Sequence, residues 1–188
     1  MPDPVSTPPD SRGDLRFATV PGVLSRATAT WGDRVAIEDG PHHLTYAQLA
    51  QVVDTAARGL AQLGVGRGDR VAIWAPNVWE WIPAALAAQA LGAAVVPINT
   101  RYKGPEARFI IERSGARVLF TVDGFLGLDF RQMLDRPELP TLVFRSDGPD
   151  GWDAFLERAS SAPAVSSEPA RPDDICDILF TSGTTGRP

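Results

Sequence analysis

The sequence predicts an α/β fold in which a parallel-rich sheet is layered between helices. Three short, largely apolar runs, at 70–75, 93–96 and 118–121, alternate with helical segments through the middle of the chain. Runs of this length that are apolar throughout are typical of strands buried on both faces. Right-handed crossovers between such strands bring their carboxyl ends to one edge of the sheet, where we expect any ligand site.

The first elements precede that alternation. A helix is predicted over 20–31, because Pro21 is favoured in a first helical turn and Gly32 stands just past the predicted end. Two short strands, over 34–38 and 42–44, lie on either side of the turn sequence Asp-Gly-Pro at 39–41. A turn sequence between two short strands is typical of a β-hairpin.

The clearest helix begins after Thr45, whose hydroxyl forms a capping-box pattern with Gln48. Apolar residues then recur every three or four positions until Gly64, where the helix is expected to end. These residues are Leu49, Val52, Val53, Ala56, Leu60 and Leu63. Two further helices, over 78–91 and 105–114, separate the three apolar runs.

The last third contains shorter elements. We expect short helices over 128–134 and 152–159 around a strand over 141–144. Residues 160–172 are rich in Ser, Ala and Pro, which predicts a linker. A strand over 173–180 then follows.

The domain organisation follows from composition. Residues 1–14 carry four prolines and three aspartates, which predicts a disordered tail. Residues 15–188 are expected to form a single domain or part of a larger one.

Charge and cysteine content restrict the function. The chain has 188 residues and a formal net charge of -5, so a nucleic-acid partner is not expected. No apolar stretch has the roughly 18 residues that a membrane span requires. The single cysteine, Cys176, cannot form an internal disulfide, which indicates a cytoplasmic location. The sequence leaves open whether the chain forms a homo-oligomer.

A loop of hydroxyls and glycines follows the last predicted strand. Glycines allow backbone N–H groups to approach an anion, and hydroxyls add further donors. The Gly183-x-x-Gly186 spacing matches neither the phosphate loop nor the dinucleotide fingerprint. The residues alone therefore leave open whether this is a surface turn or an anion-binding loop. The candidate ligands of a polyphosphate are Thr181, Ser182, Gly183, Thr184, Thr185 and Gly186.

Three ordered segments carry a family resemblance. The sequence Leu-Phe-Thr-Ser-Gly-Thr-Thr-Gly-Arg-Pro at 179–188 resembles the signature loop of the adenylate-forming, or AMP-binding, superfamily. Residues 44–49 and 91–99 are similar to two earlier motifs of that superfamily. Residues 77–81 and 99–102 look more like the acyl-CoA synthetase branch than the peptide-synthetase domains. Some enzymes of similar sequence act on steroid-degradation acids in actinobacteria.

The resemblance implies a two-step reaction. A carboxylic acid substrate attacks the α-phosphorus of ATP to give an acyl-adenylate and pyrophosphate, and coenzyme A then displaces AMP. Residues 181–186 would donate to the β- and γ-phosphates, with Mg²⁺ bridging them. The family's other working parts match positions beyond Pro188. The resemblance therefore implies an N-terminal part of the AMP-binding domain, with no catalytic residue or metal ligand of its own and with the C-terminal domain absent.

Two other functions are compatible with parts of the sequence. A non-catalytic remnant or interaction module would keep the fold without activity, because the chain stops before the lysine that continues the signature. A nicotinamide-dependent oxidoreductase would share the strand-helix alternation. It would need a Gly-x-Gly-x-x-Gly turn after its first parallel strand, where Ala75, Pro76 and Asn77 stand instead.

Aromatic and polar residues near the predicted strand ends have two interpretations. Arg101 and Tyr102 could face the substrate, but a structural role is favoured, in which Arg101 caps carbonyl groups or pairs with an acid such as Glu106. The tryptophans Trp74, Trp79 and Trp81 could line an acyl pocket, but aromatic residues beside alanine-rich helices are usually core.

The histidines and the cysteine are weaker candidates. His42 and His43 are adjacent, so on a strand they point to opposite faces and cannot easily share a metal. Cys176 is flanked by isoleucines and aspartates, and we expect it to be buried in the core rather than to act as a nucleophile.

Overall fold

A computed structural model of the chain describes residues 18–163 and 170–181. Its helices are α1 (Val20–Trp31), α2 (Tyr46–Gln62), α3 (Trp81–Ala90), α4 (Gly104–Ser114), α5 (Phe130–Leu134) and α6 (Trp152–Ser160). Its strands are β1 (Val35–Asp39), β2 (His42–Thr45), β3 (Arg70–Trp74), β4 (Ala94–Pro97), β5 (Val118–Val122) and β6 (Thr141–Phe144).

Strands β3 to β6 form one parallel sheet in the order β4-β3-β5-β6. Helix α2 contacts both α3 and α6, and α4 contacts α5. With right-handed crossovers, these two groups of helices cover opposite faces of the sheet. The predicted α/β fold with a parallel sheet between helices is therefore confirmed.

Aromatic side chains fill the centre of the sheet. Trp74 is completely buried, and its ring stacks on that of Phe130 at a centroid distance of 4.3 Å. Phe120 stacks on Phe144 at 5.2 Å, and Trp152 packs edge-on against both rings. Trp74 therefore belongs to the core, as the sequence predicts.

The β1-β2 hairpin packs on the sheet through Asp39. One carboxylate oxygen of Asp39 accepts a hydrogen bond from the backbone N–H of Trp79 at 3.1 Å, and it also pairs with the guanidinium of Arg145. The hydrogen bond from Arg145 is the main reason that the pKa of Asp39 lies below its usual range. A turn at Gly40 and Pro41 closes the hairpin, as predicted.

Helix starts agree with the sequence in one case and differ in another. The capping box of α2 is present, with Gln48 N–H donating to the Thr45 hydroxyl at 3.2 Å and Thr45 N–H donating to Gln48 at 2.8 Å. The helix predicted over 78–91 begins later, at Trp81. The reason is a tight turn, in which the N–H of Trp81 donates to the Val78 carbonyl at 3.1 Å.

The predicted linker and tail lie mostly outside the described residues. Helix α6 extends to Ser160, Ala162 after it is buried, and the description resumes at Ala170. The disordered tail over 1–14 lies wholly outside the described residues, so both remain predictions. Within the described ranges, the helices lack the length and apolar character needed to cross a bilayer.

Candidate functional site

The segment over 170–181 runs beside β4 and leads toward the candidate loop. Val95 N–H donates to the Cys176 carbonyl at 2.9 Å, and Ile178 N–H donates to the Val95 carbonyl at the same distance. Asp177 forms one isolated parallel bridge with Val95. The strand predicted over 173–180 is therefore wrong in extent, because a turn closed by Asp174 N–H and the Arg171 carbonyl occupies its start.

Asp174 anchors this segment to the sheet. Its carboxylate accepts from the backbone N–H of Arg171 at 2.7 Å and pairs with the guanidinium of Arg67, in the turn before β3. The backbone hydrogen bond from Arg171, together with Arg67, holds the pKa of Asp174 below its usual range. Sequence analysis missed both side chains, since no local pattern links residues that are 107 positions apart.

Side chains alternate along the end of the segment. Ile178 and Phe180 pack against the core, and the ring of Phe180 contacts that of Phe109 edge-on at 6.5 Å. Leu179 is 71% exposed, and Thr181 is also exposed. Because the segment runs parallel to β4, Thr181 lies at the carboxyl edge of the sheet.

The remaining candidate ligands lie outside the described residues. Ser182, Gly183, Thr184, Thr185 and Gly186 follow Thr181 directly in the chain. Their place at the end of the segment puts the loop's starting point at the predicted edge, and phosphate binding by the loop stays a prediction.

The prediction that Cys176 is buried in the core is wrong. The residue is exposed, and the neighbouring Ile175 is 67% exposed. Both residues lie on the side of the segment that is not covered, whereas Ile178 further along packs against the core. Partial burial of the thiol, with help from its hydrogen bond to the Asp177 carboxylate at 3.2 Å, raises the pKa of Cys176. A raised pKa disfavours a nucleophilic role.

The bend after β4 is built from structural contacts. Trp74 Nε1 donates to the Asn99 carbonyl at 3.1 Å, and Arg101 N–H donates to Asn99 Oδ1 at 2.9 Å. Glu106 accepts from the backbone N–H of Lys103 at 2.8 Å, where an ion pair with Arg101 was predicted. Its carboxylate therefore caps the start of α4. Tyr102 packs against the core, while the side chain of Arg101 is exposed.

The remaining candidates are two tryptophans for an acyl pocket and two histidines for a metal site. Trp79 and Trp81 are partly buried against the core, and His42 stacks on Trp79 at 5.4 Å. Over the ranges that the structure describes, no three His, Cys, Asp or Glu side chains converge on a point where a metal could bind. His43 belongs to the same strand as His42, at the next position.

The anchoring role of Asp174 is testable by amide exchange. Asp174→Asn is expected to speed exchange of the Val95 and Ile178 amides about tenfold, because it weakens charge-assisted hydrogen bonds that fix the segment. Asp173→Asn, at an exposed neighbouring position, serves as the control and should leave both rates unchanged. The measurement is hydrogen exchange followed by NMR.

The same anchor has a defined pH dependence. Since folding lowers the pKa of Asp174, its contribution is complete above the usual aspartate range and is lost as pH falls through the lower folded-state value. Protection of the two amides should therefore fall in acid in the native chain and change less with pH in Asp174→Asn. Equal protection in both proteins at neutral pH would contradict the anchor.

The chain is similar in sequence to a known enzyme family and to individual CoA ligases. The family model of the AMP-binding enzyme matches residues 24–188. A Mycobacterium tuberculosis protein named 3-[(3aS,4S,7aS)-7a-methyl-1,5-dioxo-octahydro-1H-inden-4-yl]propanoyl:CoA ligase is 47% identical over 184 residues, which cover 93% of this chain and 36% of that protein. A Rhodococcus jostii protein of the same name is 38% identical over 185 residues, covering 90% and 36%.

A solved structure gives the same result for the fold. The anthranilate CoA ligase AuaEII, crystallised in complex with anthranoyl-AMP, superposes with a TM-score of 0.76 at 25% identity. The alignment covers 90% of this chain and 33% of that one. The chain thus spans about a third of the length of the proteins it matches, and its sheet corresponds to one part of them.

Proposed function

The chain belongs to the AMP-binding enzyme family, and we propose that it forms the N-terminal part of an ATP-dependent acyl-CoA ligase. The observation that carries this proposal is the segment beside β4, which delivers Thr181 to the carboxyl edge of the parallel sheet. The hydroxyl- and glycine-rich residues that follow Thr181 have the donors that a polyphosphate requires.

In this reaction, the main task of this part of the protein would be to position ATP and to neutralise the charge of the leaving pyrophosphate. A carboxylate oxygen of the substrate bonds to the α-phosphorus of ATP as the bond to pyrophosphate breaks. The thiolate of coenzyme A then forms the thioester as AMP leaves. Residues 181–186 would hold the β- and γ-phosphates through hydroxyl and backbone donors. Each charge-assisted hydrogen bond contributes about 1.5–3 kcal/mol.

Magnesium is a second part of this proposal. Mg²⁺ bound between the phosphates would neutralise charge on the leaving pyrophosphate. Because the family resemblance matches the other working parts to positions beyond Pro188, we propose that the acidic ligand of Mg²⁺ also lies there.

The substrate we infer is a carboxylic acid of the kind named by the two relatives. Both relatives carry the name of a propanoyl:CoA ligase acting on a methylated, dioxo bicyclic indene skeleton. We extend that acid to this chain because the identity reaches 47% over nearly its whole length. A cytoplasmic location completes the proposal, because ATP and coenzyme A are available there and an exposed lone thiol stays reduced.

A chimera tests the proposed activity. Residues 1–188 are joined to the downstream two-thirds of the Mycobacterium tuberculosis relative, and pyrophosphate release from ATP is measured with and without acid. Release that depends on the bicyclic propanoate supports the ligase proposal, because residues 1–188 then supply a working N-terminal part. The substrate proposal is tested separately, on the natural downstream sequence of this chain, where release with anthranilate alone would overturn it. A folded chimera that releases no pyrophosphate with any acid supports the non-catalytic module instead.

Within that chimera, Thr181→Ala is expected to lower kcat/KM for ATP about 10- to 100-fold. The substitution removes one hydroxyl donor to a charged phosphate, and each 1.4 kcal/mol of lost transition-state stabilisation is a factor of ten. Thr30→Ala is the matched control, since Thr30 is exposed on α1 and its hydroxyl donates to the Arg26 carbonyl of the same helix. If the two variants had equal kcat/KM for ATP, the Thr181 hydroxyl would not bind the phosphates as we propose.

A further inference from the structure

An apolar groove of about 280 Å³ lies at the amino edge of the sheet, where the strands begin. We call it the amino-edge groove. Its three walls are the start of α1, the turn between α3 and β4, and the segment over 170–176. Because Thr181 lies at the opposite, carboxyl edge, the groove is separate from the proposed phosphate site. The residues that line it include Ala18, Val20, Val23, Ala93, Ile175 and Cys176.

Large apolar side chains border this groove without being covered. Val20 and Val23, about one turn apart on α1, are 38% and 49% exposed, and Ile175 on another wall is 67% exposed. The other side of α1 faces the core, since Ala27 is buried and Leu24 packs against the core. Adjacent exposed apolar side chains mark a surface that another segment or a partner covers.

The polar groups of the groove do not select a polar ligand. The Gln89 amide donates to the Cys176 carbonyl at 3.4 Å and to the Asp177 carboxylate at 3.5 Å. The Asp174 carboxylate accepts from the backbone N–H of Arg171 at 2.7 Å. The volume also lies below the range of about 300–1,000 Å³ that small-molecule sites occupy. An apolar protein segment therefore fits the groove better than a small polar molecule does.

The described chain begins at the rim of the groove. Ala18, the first described residue, lines the groove with a left-handed φ of 61°. An alanine seldom adopts this conformation, which persists where contacts on both sides hold it. On one side, the Thr19 hydroxyl caps α1 by accepting from the Gly22 N–H at 3.1 Å. Contacts on the other side are left to the residues that precede Ala18.

The residues before Ala18 have the chemistry that the groove accepts. Leu15 and Phe17 are two positions apart, so in an extended chain their side chains point to the same side. Three extended residues span about 10 Å, which keeps Leu15 within reach of a groove whose rim holds Ala18. The other large apolar residues before Ala18 are Met1 and Val5, both much further from the rim along the chain.

We propose that residues 15–17 lie in the amino-edge groove, with Leu15 and Phe17 packed between α1 and the segment over 170–176. This N-terminal strap ties the start of that segment to α1. Since the same segment leads to Thr181, the strap fixes the base of the candidate loop. The proposal concerns packing within the chain and does not depend on ligase activity.

Cys176 reports on this packing, because it lines the groove and is the single cysteine of the chain. In the full 188-residue chain, Leu15→Ser combined with Phe17→Ser is expected to speed the reaction of Cys176 with a chromogenic disulfide reagent about tenfold at one fixed pH, because thiol reactivity follows exposure. Val5→Ser is the matched control, since it removes an apolar side chain outside the strap, and it should leave the rate unchanged. Equal rates in the double variant and the native chain would overturn the proposal.

A cross-link decides the outcome if the double variant does not fold. Phe17→Cys places a second thiol on the strap, and mild oxidation is expected to join it to Cys176 within one chain, because a disulfide needs Cβ atoms about 3.5–4.5 Å apart. Val5→Cys is the control and should link about tenfold more slowly. Equal linking rates contradict the strap. Links found only between two chains, or native labelling that slows as protein concentration rises, would assign the groove to a second copy and also overturn the proposal.

Discussion

Replacing Trp74 with alanine is expected to lower the free energy of unfolding by about 3–5 kcal/mol. The indole is completely buried, and it lies flat on the ring of Phe130 with an interplanar angle of 5°. Its removal leaves a cavity at the end of β3 and leaves the Asn99 carbonyl without the Nε1 donor. The measurement is chemical denaturation followed by far-UV circular dichroism.

Two further variants separate the contributions. Trp74→Phe keeps an aromatic ring against Phe130 but loses the hydrogen bond to Asn99, so it should cost less, about 1–2 kcal/mol. Trp31→Ala removes an indole that is 47% exposed and should cost less than about 1 kcal/mol. If Trp74→Ala and Trp31→Ala lost equal stability, Trp74 would not be part of the core.

The layered fold could be predicted because local sequence and tertiary burial agree in the sheet. The run around Val71 to Ile73 is apolar at every position, and both faces of β3 are in fact covered. Helix α2 combines a capping box at Thr45 with an apolar face, so its start follows from neighbouring residues alone. Elements of this kind can be predicted without knowing which residues distant in the sequence they contact.

The predictions that are wrong concern residues whose burial or conformation depends on contacts with residues distant in the sequence. Cys176 lies in a local sequence that is typical of a buried strand, but its burial depends on what packs against the outer side of the segment. Asp174 anchors the start of that segment by pairing with Arg67, and the intervening sequence does not indicate this pair. Local hydrophobicity thus predicts which segments are extended and does not predict which side is covered.

The candidate loop and the contacts of Arg145 differ in the same way. The loop after Thr181 has a sequence signature, because its proposed function depends on a short run of glycines and hydroxyls. The contacts that Arg145 makes with Glu80 and Asp39 have none, since they join positions that are 65 and 106 residues apart along the chain. The left-handed Arg145 that joins them is a residue type for which no such conformation is expected from sequence.

Gly104→Ala is expected to lower the free energy of unfolding by about 3 kcal/mol. Gly104 is the first residue of α4, and a Cβ at this position would lie 1.9 Å from the backbone carbonyl oxygen of Met133 in α5. Because the obstructing atoms belong to the backbone, α4 and α5 must move apart, and overpacking of this kind costs about 1–3 kcal/mol or more. The loss is measured by thermal or chemical unfolding.

Gly66→Ala is the matched control for this close approach. The nearest atom to a Cβ at Gly66 is Asp69 Oδ2 at 4.0 Å, and the backbone there has no left-handed φ. The control should therefore change stability by less than about 1 kcal/mol in either direction. A Gly104→Ala protein as stable as the control would mean that α4 and α5 separate at little cost. In that case the α4-α5 layer would be less rigid than the 1.9 Å approach to the Met133 carbonyl oxygen implies.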